Sequence, residues 1–299
     1  MSFFQKAERS KAKLRLSIDG PSGSGKTHSA LLLAGGLVKE GGKIYLIDTE
    51  RDSATLESGK PGIPEFFHAP LVPPFTPAKY REYIEAAAGE GAEVIIIDSL
   101  SHAWSGSGGV LDMHDKAARA QRGGNTWAAW REVTPEHNSL VDTILQSSCH
   151  IICTMRTKTA WEVVETDKGK KAPQKIGLKP EQREGMEYEF TVVLDLALDG
   201  HIATASKDRT SLFDGRHFVL DHKIGEELED WLSTGRDPED LSRDLLDDLL
   251  EAAKQVGHCT DLDNWGRRHK VEFDRLLPDH RNSLVAYCVS RKEELLQAA

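Results

Sequence analysis

The run KLRLSID (residues 13–19) passes directly into GPSGSGKT (20–27), and an apolar helical pattern, SALLLAGGLVKE (29–40), follows almost at once. A strand, a glycine-rich turn and a helix in that order narrow the possible folds sharply. Gly20, Gly25, Lys26 and Thr27 fit the pattern G-x-x-x-x-G-K-[ST]. Glycines let successive backbone N–H groups turn inward around phosphate oxygens, and the helix start adds a favourable field. Lys26 reaches the terminal phosphates and Thr27 ligates magnesium. The expected nucleotide site is therefore Gly20, Pro21, Ser22, Gly23, Ser24, Gly25, Lys26, Thr27 and His28, taking ATP with Mg2+.

Further short apolar runs, GKIYLID, EVIIID, HIICTM and EFTVVLDLAL, alternate with helical stretches up to about residue 232. That alternation predicts an α/β fold with a mainly parallel, twisted sheet flanked by helices. The buried run EVIIID delivers Asp98 to the carboxyl end of its strand, where a carboxylate can join Thr27 on the metal. After STGRDPED the composition changes. Asp237 can cap a helix starting at Pro238, and Leu241, Leu245, Leu246, Leu249 and Leu250 recur at helical spacing. Helical stretches over Trp265–Phe273 and Asn282–Gln297 follow, so residues 1–232 are expected as the core and 233–299 as a small helical domain.

Composition excludes several classes. Among 299 residues, 39% hydrophobic and 29% charged content suits a globular chain rather than a disordered or fibrous one. No apolar stretch near the start or later suggests a signal or a membrane span, and Cys149, Cys153, Cys259 and Cys288 form no CxxC pair. A cytoplasmic protein with reduced thiols and no membrane partner is expected. The net charge of −10 argues against indiscriminate coating of DNA but permits a basic strip. Such a strip exists: DKGKKAPQKIGLK (167–179) carries Lys168, Lys170, Lys171, Lys175 and Lys179. Few core signals occur from about Thr159 to Glu187, which predicts a long functional loop. Lysines there can track phosphates without reading sequence, through counterion release. Trp127 and Trp130 share a helical stripe with Val133, His137, Leu140, Val141 and Ile144, which predicts core or interface packing.

The order of a phosphate loop, a second strand ending in Asp48, Thr49 and Glu50, and an apolar strand ending in Asp98 and Ser99 resembles the RecA-like recombinase core. The resemblance implies that Glu50 is the acid that activates water. Lys207 and Arg209 lie two apart, a spacing that turns both to one face of an extended segment. They resemble the K-x-R element that enters a neighbouring subunit's active site, which implies a homo-oligomer, either ring or helical filament. Phe4 and Ala7 in FFQKA look like a short handle inserted into an adjacent protomer. Thr154 and Arg156 stand where relatives place a γ-phosphate sensor, although CTMRTK departs from the usual Gln or Asn-Gln. The family also implies two DNA-facing loops. One carries Lys116, Arg119 and Arg122, with Arg131 nearby, and the other contains the lysine strip.

With IIIDSLSHAWSG, TPEHN and SKDR…LFDG added, residues 1–222 look like the phage RecA-like single-strand annealing ATPases. The likeness implies ATP-linked binding and annealing of single-stranded DNA during recombination inside a bacterial host, with a single-stranded-DNA-binding protein as partner. The residues also suit a ring-shaped DNA helicase or motor, a small-molecule kinase, or a nucleotide-dependent switch.

Overall fold

A computed structural model describes residues 7–121, 126–165 and 171–297. The first unit spans residues 13–232. In chain order it contains β1 (Arg15–Gly20), α1 (Lys26–Leu37), β2 (Lys43–Asp48), β3 (Phe67–Pro70), α2 (Pro77–Gly89) and β4 (Ala92–Asp98). There follow α3 (Ser101–Ser105), α4 (Val110–Ala120), α5 (Thr126–Gln146), β5 (His150–Glu165) and β6 (Lys171–Pro180). The unit closes with β7 (Val192–Leu196), β8 (Ile202–Asp208), β9 (His217–Val219) and α6 (His222–Leu232).

Nine strands among the described residues form the sheet, in the order β3-β2-β4-β5-β1-β7-β8-β9, with β6 paired to β5 outside this path. The strands from β3 to β7 run parallel, while β8 and β9 add antiparallel. The expected α/β architecture, a mainly parallel sheet between helices, is thus what the chain adopts. Both faces of a parallel sheet are covered by crossovers, so its strands read as continuous apolar runs. Along β4, Val94 and Ile96 pack into the core beneath α1 and α6, whereas Ile95 and Ile97 join the core with Tyr80, Ile84, Leu140 and Ile144. The helices α1 and α6 meet at glycines. A Cβ on Gly36 would collide with the His222 carbonyl, and one on Gly225 with the Leu33 carbonyl.

The structure corrects one expectation outright. The segment after Thr159 is no irregular loop, because β5 continues to Glu165 and pairs antiparallel with β6. Two extended segments satisfy each other's backbone groups without needing a buried face, so hydrophobic patterning carries no trace of them. Residues 166–170, with Lys168 and Lys170, lie outside the described residues, as do Phe4 and Arg122. Short strands β3 and β9 finish the sheet edges.

The second unit contains residues 7–12 and 233–297, so the first described residues group with the helices rather than with the core. Ser10 bridges Arg236, and Lys11 pairs with Asp237 at 3.2 Å. The helix α7 (Pro238–Lys254) starts as expected, with the Asp237 carboxylate accepting from the Glu239 N–H at 3.0 Å and Pro238 in the first turn. The stretch around Trp265 is two helices, α8 (Cys259–Arg268) and α9 (Lys270–Arg275), which divide at His269. α10 (Pro278–Gln297) begins four residues before Asn282, since proline is tolerated at a helix start. Leu246, Leu249, Leu262, Trp265, Leu276 and Leu284 form this unit's own core. No helix among the described residues is long and apolar enough to cross a membrane.

Candidate nucleotide site

The turn between β1 and α1 bends through two left-handed glycines, Gly23 (φ 83°) and Gly25 (φ 85°), a conformation that costs glycine nothing. Lys26 folds back over it, its Nζ donating to the carbonyls of Gly20 (3.0 Å) and Pro21 (2.9 Å). Burial lowers the Lys26 ammonium below its ordinary pKa, against the pull of Asp98 and Glu50. The His201 ring covers the turn from the β7–β8 connection, with Nδ1–H donating to the Ser24 carbonyl at 2.8 Å.

Asp98 is buried at the end of β4, which lies one strand beyond β5 from β1. Thr27 Oγ1 donates to its Oδ2 at 2.6 Å and Thr154 Oγ1 to its Oδ1 at 2.5 Å. Burial raises the Asp98 pKa, and the two hydroxyls oppose that shift. Glu50 follows β2. Asp48 shapes its turn by accepting from the N–H groups of Glu50 (2.5 Å) and Ala54 (3.1 Å). The Glu50 carboxylate meets Arg156, whose Nε and Nη2 approach the same oxygen, Oε1, at 2.9 and 2.8 Å.

These groups surround one cavity of about 570 Å³, lined by Ser22, Gly23, Gly25, Lys26, Thr27, His28, Glu50, Glu57, Asp98, Arg156, Thr157 and Glu181. Three lining residues were not anticipated. Glu57 accepts from His28 Nδ1 and from Lys60 Nζ, each at 2.7 Å, tying the segment after Glu50 to α1. Thr157 and Glu181 stand at the root of the β5–β6 ribbon, where the Glu181 N–H donates to the Arg156 carbonyl at 2.7 Å. Nothing local in the sequence marks them, because only strand pairing joins positions so far apart. Asp48, by contrast, was visible in the same D-T-E run as Glu50.

The candidate sensor pair divides. Thr154 is fully buried and engaged with Asp98, and only Arg156 lines the cavity. Lys207 and Arg209 do come together, but away from this cavity: Lys207 Nζ donates to the carbonyls of Glu187 (2.9 Å) and Tyr188 (2.6 Å), and Arg209 Nη2 donates to Tyr188 (3.0 Å). Lys207 pairs with Val193, whereas the phosphate turn starts beside Leu196. About 10 Å of strand therefore separates the two levels.

Among the expected DNA-contacting residues, Lys116 pairs with Asp112 at 3.0 Å and Arg119 is exposed on α4. Lys171 and Lys175 are carried on β6 opposite Glu165 and Trp161, and Lys179 lies opposite Lys158. Trp130 packs as expected, against Trp104 and His114. Trp127 does not: it is 83% exposed, because the α5 stripe turns away from the core before its first residues.

The cavity fits a nucleoside triphosphate and its metal. Ser24 Oγ is buried in the turn with no partner among the described residues, and Thr27 and Asp98 present adjacent oxygens. No cluster of three or more His, Cys, Asp or Glu suited to a metal occurs among the described residues. A family profile described as an AAA domain matches residues 12–223. No curated protein matches the chain.

Proposed function

Because the chain belongs to the AAA-domain family of P-loop nucleotide-binding ATPases, we propose that it hydrolyses ATP while bound to single-stranded DNA and promotes strand annealing in phage recombination. One observation carries the nucleic-acid part. The β5–β6 ribbon departs from the sheet at Arg156, its root residues Arg156, Thr157 and Glu181 line the nucleotide cavity, and Lys158 faces Lys179 directly above that root. Lys171 and Lys175 extend the cationic series along β6. A ribbon so placed links phosphate contacts on one side to the nucleotide on the other.

In this reading the turn's N–H groups and Lys26 bind the phosphates, and Thr27 with Asp98 would hold magnesium, which when bound neutralises charge on the phosphates. Glu50 orients the attacking water and takes its proton, using the carboxylate oxygen that Arg156 leaves free. Arg156 positions Glu50 and faces the terminal phosphate. Lys207 and Arg209, held away from the cavity of their own chain, act on the site of an adjacent copy in a ring or filament. Their carbonyl partners at Glu187 and Tyr188 keep both cations on one side of β8. A single-stranded-DNA-binding protein is the expected partner, and the host cytoplasm the expected location.

The test is fluorescence anisotropy of labelled single-stranded and duplex oligonucleotides, with and without ATP and magnesium, at two salt concentrations. Salt-sensitive, nucleotide-dependent preference for the single strand is expected. Absence of binding under every condition would overturn the proposal, and ATP-consuming strand displacement would replace annealing with a helicase or motor activity.

A further inference from the structure

We propose that Trp127, one helical turn before the packed Trp130, is a stacking platform for an unpaired nucleobase. The inference rests on the single-strand reading above and adds to it a contact with bases rather than phosphates. Trp127, Trp130 and Arg131 fall at i, i+3 and i+4 on α5, so they share one helix face. Trp127 is 83% exposed, more than any other large apolar side chain among the described residues.

Trp130, one turn further on, is fixed between two rings. His114 stacks on it at 4.2 Å with planes 27° apart, and Trp104 lies 5.9 Å away with planes 16° apart. The His114 ring is held in turn by its Nε2–H, which donates to the Thr126 carbonyl at 3.2 Å. At its inner end the column closes on His137, edge-on to Trp104 at 5.8 Å. The His114 bond to Thr126 ties the first turn of α5, which carries Trp127, to α4, so the backbone under the indole is held in place. The platform also adjoins the catalytic edge of the sheet, since Trp104 sits on α3, which starts three residues after Asp98.

The surroundings favour a base over an apolar surface. Thr126, Arg131 and Glu132, which flank Trp127 and Trp130 along α5, are all exposed and polar. A base offers a flat π-face with a charged backbone alongside, and Arg131 on the same face can meet a phosphate. Stacking of this kind tolerates any base, which suits binding without sequence preference.

The test uses the full chain and two labelled oligonucleotides of equal length, one of thymidines and one of the same backbone without bases. Trp127→Ala is expected to weaken the thymidine strand at least about fivefold and to leave the abasic strand unchanged, while Trp127→Phe restores most of the affinity. Equal losses on both strands, or no loss on either, would overturn the platform while leaving single-strand binding intact. If sedimentation shows that Trp127→Ala dissociates the assembly, the indole serves a contact between copies and the platform is likewise overturned. If the unaltered protein binds neither strand, the single-strand reading fails and the platform with it.

Discussion

Arg156 grips one oxygen of Glu50 from two nitrogens, at 2.9 and 2.8 Å, and both side chains line the nucleotide cavity. Both side chains are partly exposed, so the ion pair contributes little to stability, on the order of 1 kcal/mol or less. Its value is geometric. Arg156 lies level with Gly20 in the β1–β5 pairing and begins the ribbon, so one residue touches the phosphate turn, the carboxylate and the basic arm.

Two variants separate chemistry from structure at this pair. Glu50→Gln keeps an acceptor for Arg156 but removes the proton acceptor, so kcat should fall about 100-fold or more while nucleotide affinity stays within about twofold. Arg156→Ala should move the thermal midpoint by no more than about 2 °C and reduce kcat about tenfold or more, since Glu50 loses its orientation. Steady-state hydrolysis and nucleotide titration check both. Unchanged turnover in Glu50→Gln would remove that residue from the mechanism.

Asp98 predicts an opposition between stability and metal use. Burial raises its pKa, so the ionised form is held at a cost that the Thr27 and Thr154 hydroxyls only partly offset. Asp98→Asn should therefore raise the thermal midpoint at pH 8. The same change removes the metal-directed charge, so magnesium should no longer tighten ATP binding. Scanning calorimetry and titration with and without magnesium measure the two effects, and a lowered midpoint with intact magnesium dependence would contradict both.

Much of this arrangement is legible in the sequence because it is local. The phosphate turn, Asp98 at its strand end and Asp48 beside Glu50 each follow from a run of a few residues. The cap at Asp237 and Pro238 is legible for the same reason. What escapes is set by pairing between distant segments. β6 shows no apolar period in its sequence, and Thr157 and Glu181 reach the cavity only through the ribbon's register. Trp127 misleads for a related reason, since a helical stripe names a face but not the point at which the helix leaves the core.

Asp19 introduces a pH dependence that is independent of catalysis. It lies on β1 directly beside Asp195 of β7, and burial pushes its pKa up to about 7, while a hydrogen bond from Ser17 opposes the shift and Asp195 adds to it. A folded-state value above the unfolded one means that the native protein binds the extra proton between about pH 4 and 7. Stability attributable to Asp19 is then fully present at the acid end of that window and declines as pH rises through it, by up to about 4 kcal/mol. Asp19→Asn should flatten this part of the urea-unfolding profile and raise stability at pH 8. An unaltered slope between pH 4 and 7 would show that Asp19 is ionised throughout.

Arg15 is a second charge buried in β1, besides Asp19, and its surroundings explain it. The guanidinium donates to the carbonyls of Leu14 (2.8 Å), Cys149 (2.8 Å) and Leu145 (3.0 Å), and also to that of Ser147. Leu145 belongs to the last turn of α5, where helix carbonyls have no partner of their own, and Ser147 and Cys149 form the connection to β5. Burial lowers the Arg15 pKa to about 10, which still leaves it charged at neutral pH. Arg15→Met would strand several buried acceptors, at about 1–3 kcal/mol for each one left unsatisfied, and should shift urea unfolding to clearly lower concentration. Arg15→Lys should recover only part of the loss, because one ammonium cannot span a strand and a helix end as a planar fork does. Nucleotide affinity of the folded fraction should be unchanged in both, since none of the four carbonyls borders the cavity. If Arg15→Met unfolds at the same urea concentration as the unaltered protein, the carbonyls find other partners and Arg15 does not hold α5 to the sheet.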